Sequence, residues 1–332
     1  GKHGLIMATY KEIKGTQIEV LASDPSNPVE GQVWYNSTSN VLKGLSAIAS
    51  SSWATGGSLN TSRYSLSGTG LQTAAIAFGG QTPPKAETEL YNGSNWTEVA
   101  DLNLARNGAG AAGTQTSALC FGGEGGSPDP KNETELWNGT SWTEVNNLNS
   151  KGKYRGGSGV DSTAALCFGG IGPDNSSDFA NTEKWNGTNW TTVNSMVAAR
   201  HNIAAAGTSS ATVAFGGNPG TPNTTVDTEL YNGTSWSEVN NLNTARNASS
   251  GSYESSTAAV CMGGAPVPSC GNKTETWNGV NWTETANMST ARGYLAGGGT
   301  STAGIVFGGQ PSGTATEEFT GAGPVTRTFT DS

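Results

Sequence analysis

One phrase recurs through the chain and constrains its fold more than any other feature. It reads TELYNGSNWTEV at residues 88–99 and returns as TELWNGTSWTEV, TEKWNGTNWTTV, TELYNGTSWSEV and TETWNGVNWTET. Other markers keep step with it. A Gly-Gly pair closes an apolar run at Gly79, Gly122, Gly169, Gly216, Gly263 and Gly308, with steps of 43, 47, 47, 47 and 45 residues. Thr-Glu pairs begin at Thr88, Thr134, Thr182, Thr228, Thr274 and Thr316, and a tryptophan falls at Trp53, Trp96, Trp142, Trp190, Trp236 and Trp282. Each copy reads as four short strands: A after an arginine (RNGAGAAG), B into Gly-Gly (TSALCFGG), C (TELYNG) and D (SNWTEV). No long segment has a helical period. A period near 46 with four strands per copy predicts propeller blades, because one such sheet cannot bury both faces alone. Six copies predict six blades.

Composition narrows the reading. Charged residues make up 13% of 332 residues and 48 are Gly, which alone would suit a disordered chain. Ten regularly placed Trp argue instead for many short strands with tight turns. The net charge of −9, without a Lys/Arg stripe, argues against a nucleic-acid partner. No run of 18 apolar residues exists, so no membrane insertion is expected. The N-terminal GKHGLIMATYKEIKG has no apolar core of a secretory signal, and none is expected. Cys120, Cys167 and Cys261 share one repeat position with Ala77, Ala214 and Val306, which marks a small buried site and inert thiols. Cys270 falls in a loop.

The double glycine, the aromatic on strand C, the Trp on strand D and the following Arg together resemble kelch repeats, over residues near 50 to 322. The resemblance implies an all-β, six-bladed kelch-like β-propeller that binds a partner. Two features depart from it. Tyr91 and Trp96 are unusually close in sequence, and the third copy has no Arg in register, with Lys151, Gly152 and Lys153 there and Arg155 displaced. Two ways to complete the last blade stay open. The isolated Trp53 strand closes the ring with the C-terminal blade, or Val325 to Thr330 supplies the strand. The first is the simpler, since it ties the chain ends together and removes a free edge. The domains are then 1–45, a small N-terminal β segment for attachment or assembly, and 46–332, the propeller.

Asn-Gly between strands signals a two-residue hairpin, which would pair Tyr91 with Ser94 and Glu89 with Trp96. Glu89, Tyr91 and Trp96 then share a face that packs on the neighbouring blade. A Glu and an Arg accompany the Trp in most copies: Glu89, Glu135, Glu183, Glu229, Glu275 and Glu317, with Arg63, Arg106, Arg200, Arg246 and Arg292. With Trp96, Trp142, Trp190, Trp236 and Trp282 they are read as repeated structural residues joined by inter-strand ion pairs. The alternative is a lectin-like propeller with a sugar pocket of Glu, Arg and Trp in each blade.

Specificity is expected where the copies differ. The B-to-C loops hold 7, 10, 11, 10, 9 and 6 residues and share no sequence, and they emerge on one face with the D-to-A loops. The candidate binding residues on that face are Lys85, Asp129, Lys131, Tyr154, Asp174, Phe179, His201, Asn223 and Lys273. The loop GPDNSSD is oxygen-rich but lacks the remaining ligands of a calcium loop, and no cofactor or metal is expected. With His3 and His201 the only histidines and no nucleophile–base pair, catalysis is not expected.

The first 45 residues do not follow the repeat. EGQVWYNST followed by KG resembles the N-terminal segments of structural virion proteins of tailed, especially marine, phages. That resemblance implies a non-enzymatic virion surface protein of tail-fibre, receptor-binding or decoration type. It would meet other virion proteins through the N-terminal segment and a host-surface glycan or protein through the propeller, as a possible homo-oligomer.

Overall fold

The computed structural model describes residues 18–25, 32–47, 50–81, 83–126, 130–174, 176–220, 223–252, 255–322 and 324–329. All regular elements among them are strands. They fall into two compact units, one of residues 51–321 and one of residues 1–50 with 322–332.

In the larger unit the repeat gives six four-stranded sheets. The first comprises strand A, Ser67–Leu71, strand B, Ala74–Phe78, strand C, Thr88–Tyr91, and strand D, Trp96–Val99, each antiparallel to the next. The four succeeding sheets repeat this order. In the sixth, strand C is Thr316–Thr320, and its outer partner is Ser52–Thr55, with Trp53 opposite Phe319. The chain therefore enters the unit at the outer edge of its last sheet. Every strand A touches the strand A of the next sheet, and the sixth, Ala296–Gly299, touches the first. Small residues line this inner ring, around a central cavity of about 140 Å3.

Burial falls from the inner strands to the outermost. On strand B, Ala75, Ile76, Ala77 and Phe78 are all buried, as expected of a strand covered on both faces by neighbouring sheets. Strand C buries Thr88, Glu89 and Tyr91, whereas strand D buries only its Trp. The double glycine ends strand B because Gly79 has φ +64° and a Cβ there would lie 2.6 Å from the Arg106 carbonyl of the next sheet.

The hairpin register differs from the two-residue turn the sequence suggests. Tyr91 pairs with Trp96, not Ser94, and Glu89 with Glu98, not Trp96. The cause is the Asn92 side chain. Its Oδ1 accepts the amides of Ser94 and Asn95 at 3.0 and 2.9 Å, which builds a four-residue connection in which only Gly93 has positive φ. Asn138, Asn186, Asn232 and Asn278 do the same in the other copies.

The smaller unit holds a sheet of Glu19–Leu21, Val33–Asn36, Val41–Ala47 and Pro324–Phe329 in that order. The last strand pairs antiparallel with Val41–Ala47. Residues after Gly321 thus fall with residues 1–50 in the smaller unit. Asp24 organises this unit. It accepts Trp34 Nε1 at 3.1 Å, Asn36 Nδ2 at 2.8 Å and Lys43 Nζ at 2.7 Å. Hydrogen bonds from Lys43, Asn36 and Trp34 hold its carboxyl at about 2. The VWYN and KG of the sequence motif therefore converge on one carboxylate.

Candidate functional site

The recurring polar residues are buried in the scaffold. Six ion pairs join Arg63 to Glu89, Arg106 to Glu135, Arg155 to Glu183, Arg200 to Glu229, Arg246 to Glu275 and Arg292 to Glu317. Each Glu also receives backbone amides from the connection entering its sheet, as Asn103 N does to Glu135 at 2.7 Å. Each pair thus locks a D-to-A loop onto strand C. The arginine missing from register in the third copy is replaced from three residues on. Gly152 stands at the Arg position, Arg155 reaches Glu183 at 3.4 Å, and the Phe179 ring lies 5.0 Å from its guanidinium. A Cβ on Gly152 would meet Phe179 at 2.8 Å, so the phenyl fills the vacated space.

The tryptophans tie sheet to sheet. Trp142 Nε1 donates to Thr88 Oγ1 at 2.9 Å, and its ring meets Phe78 edge-on at 4.9 Å. Trp96, Trp190, Trp236 and Trp282 repeat the bond with Thr316, Thr134, Thr182 and Thr228. These indoles are 5–7% exposed, and a sugar pocket in each sheet would need their faces open.

Two positions beyond the register arginine lies a feature invisible in residue types. Ser65, Gly108, Tyr154, Asn202, Ala248 and Tyr294 all have left-handed backbone, with φ of 49, 59, 55, 53, 49 and 56°. Their peptides form a closed cycle. Ser65 N donates to Tyr294 O at 2.8 Å, Gly108 N to Ser65 O at 2.9 Å and Tyr154 N to Gly108 O at 2.7 Å. Asn202 N donates to Tyr154 O at 2.9 Å, Ala248 N to Asn202 O at 3.0 Å and Tyr294 N to Ala248 O at 2.9 Å. The cycle encircles one mouth of the central cavity. Left-handed backbone costs a residue with a Cβ about 1 kcal/mol, so five of the six positions are held there by the cycle.

A closed inner ring of repeated four-stranded sheets decides the fold. It is a β-propeller. No protein-family model matches the chain, and no curated protein matches it. Among solved structures, the one titled "Structure of YjhT" aligns over 82% of this chain and 96% of that chain, with a TM-score of 0.65 and 12% identity. At that identity the likeness concerns the fold alone.

The variable face carries a second set of ties, one residue before the cycle. Lys153 Nζ reaches Glu124 Oε2 at 2.5 Å, His201 Nδ1 lies 2.6 Å from Asp178 Oδ1, and Asn247 Nδ2 donates to Asn223 O at 2.6 Å. Each reaches back from the start of one blade to the B-to-C loop of the preceding blade. Tyr154 joins the first of them by donating its hydroxyl to Glu124 Oε1 at 3.1 Å. Burial, and then the Glu124 carboxylate, push that phenol above its usual range.

Of the candidate binding residues, Tyr154 lines the mouth, and the His201 ring lies beside it with centroids 6.2 Å apart. Phe179 packs beneath Arg155 instead. Lys85 and Lys273 pair within their own blades, with Glu87 at 3.4 Å and Glu284 at 3.1 Å. Lys131 is half-buried, and its amide closes the loop onto Gly123 O at 2.8 Å. Asp174 is exposed and caps its own turn, where the Ser177 hydroxyl and then the Ser177 and Ser176 amides hold its carboxyl at about 2. Asn223 offers its carbonyl to Asn247, and Asp129 lies outside the described residues. Sequence reasoning missed Glu124, Lys153, Asp178 and Tyr294. Lys153 and Tyr294 carried a signal in their fixed offsets of one and two from the arginine position, whereas Glu124 and Asp178 lie in the unequal B-to-C loops and carried none. No group of His, Cys, Asp and Glu among the described residues could hold a metal ion, and no helix there is long and apolar enough to cross a membrane.

Proposed function

We propose that this chain is a non-enzymatic recognition protein of a tailed-phage virion surface, of tail-fibre, receptor-binding or decoration type. In this reading its larger unit is a six-bladed kelch-like propeller, and its B-to-C loop face meets a host-surface glycan or protein. The smaller unit attaches to other virion proteins. The observation that carries the reading is the division of labour between repeat and loops. The repeated Glu, Arg and Trp are buried in ion pairs and blade contacts, while residue identity varies at one face and its axial mouth. Catalysis is unsupported by the titratable groups at that face, because Glu124 is held by Lys153 and Tyr154, and His201 by Asp178. The virion setting rests on the resemblance of EGQVWYNST and KG. Mass spectrometry of purified particles tests that setting, and competition by the isolated full chain against particle adsorption tests recognition. Absence from particles removes the first, and a chain that never competes removes the second.

A further inference from the structure

Three observations constrain what the axial mouth can hold. First, two of the six left-handed positions carry tyrosine, a bulky residue for which positive φ is a rare and strained state. The cycle itself needs no side chain, since Gly108 occupies the same position at φ 59°. Strain that the backbone does not require is a reason to look for a use of the side chain. Second, the rings stand together. Tyr154 and Tyr294 are half-buried and both line the mouth, and the His201 ring flanks Tyr154 at 6.2 Å. Ser65 and Asn202, also half-buried in the cycle, have side chains with no hydrogen-bond partner among the described residues. Third, the charged side chains around the mouth are already engaged: Glu124 pairs with Lys153, Arg155 pairs with Glu183, and Asp178 Oδ1 lies 2.6 Å from His201 Nδ1. An ionic ligand would have to break one of these contacts to find a partner among them.

Aromatic faces, neutral hydrogen-bonding groups and balanced charge suit a ligand with apolar C–H faces and hydroxyl edges. We propose that the axial mouth is a single site for one neutral sugar unit of a glycan, seated against Tyr154 and Tyr294 and bonded by Ser65 and Asn202. This rests on the recognition reading above, and it differs from a pocket in each blade because the mouth occurs once per chain. The open volume of about 90 Å3 accommodates part of a pyranose ring, with the rest of the glycan facing the loops.

The test uses the full chain on an array of immobilised neutral and anionic glycans, followed by calorimetric titration of the best free saccharide. The proposal expects a neutral saccharide, one site per chain, and at least a tenfold loss of affinity in Tyr294→Gly. That variant should melt no lower than the parent, because glycine is at ease at positive φ. Tyr294→Phe, which keeps the ring, should retain most of the affinity. Binding of anionic glycans only, several sites per chain, or unchanged affinity in Tyr294→Gly overturns the proposal. If no saccharide binds but the chain still blocks particle adsorption, the sugar site falls and the recognition reading stands. If neither occurs, both fall.

Discussion

Arg155→Leu tests whether the displaced arginine carries the same duty as the five in register. Its side chain is fully buried, 3.4 Å from Glu183, and its Nε donates to Gly169 O at 3.1 Å. Removing one partner of a buried pair costs about 3–5 kcal/mol, mainly through the charge left behind. Glu183 keeps three donors, Asn149 N at 2.7 Å, Asn149 Nδ2 at 3.0 Å and Ser150 N at 3.1 Å. The lower end, about 3 kcal/mol, therefore applies. For a unit of this size that is a fall in Tm of roughly 6–12 °C. Two rescues follow. Arg155→Leu with Glu183→Gln removes both charges and should recover most of the loss. The triple change Gly152→Arg, Arg155→Leu, Phe179→Lys installs the first blade's set of Arg63, Leu66 and Lys85, and should also recover it. Lys85 is the guide for position 179 because its amide bonds Gly80 O as that of Phe179 bonds Gly170 O. Thermal melts of the single, double and triple variants decide the matter. A drop below 2 °C in the single variant, or a triple variant no better than the single, refutes the reasoning.

Three further outcomes are expected. Trp142→Phe should cost about 1–2 kcal/mol for the lost bond to the buried Thr88 hydroxyl, and Trp142→Ala about 3–5 kcal/mol for the cavity, read by denaturant unfolding. Burial raises the thiols of Cys120 and Cys167 to about 12 and of Cys261 to about 11, so all three should resist alkylation at pH 8 until the chain unfolds, followed by intact-mass labelling. Asp24 sits at about 2 when folded, below an unfolded carboxyl near 3.9, so its contribution is complete above about pH 4 and is lost as pH falls toward 2. The indole N–H resonance of Trp34 should follow that window and should lose its pH response in Asp24→Asn.

Strand order, the buried ion pairs and the packing role of the tryptophans were legible because they recur, and recurrence exposes a shared environment even when one copy is ambiguous. The hairpin register was not legible. Asn-Gly alone predicts a two-residue turn, whereas the Asn92 side chain competes for the next two amides and lengthens the connection by two residues. The axial cycle was hidden for a different reason. Its defining property is a backbone angle imposed by closure, and Ser65, Tyr154, Ala248 and Tyr294 have no intrinsic preference for it. Only Gly108 and Asn202 are residues that commonly adopt it. The loop residues were chosen for exposure and chemistry, yet most are occupied within the chain. Phe179 and Lys273 face Arg155 and Glu284, partners brought close by the fold, whereas Lys85 pairs with Glu87 two residues on. The third copy combines both lessons: a gap at Gly152 reads as a lost ion pair, and only the fold brings Arg155 back to Glu183.

The central claim is that the repeat supplies scaffold and one loop face supplies recognition. The direct measurement is adsorption competition by a chain whose loops 124–133 and 218–227 are both replaced with QTPPKAE from the first copy. The account predicts a folded protein, melting within roughly 10 °C of the parent after loss of the Glu124 and Asn223 contacts, that no longer competes with particles for the host surface. A graft that folds and competes as well as the parent would contradict it.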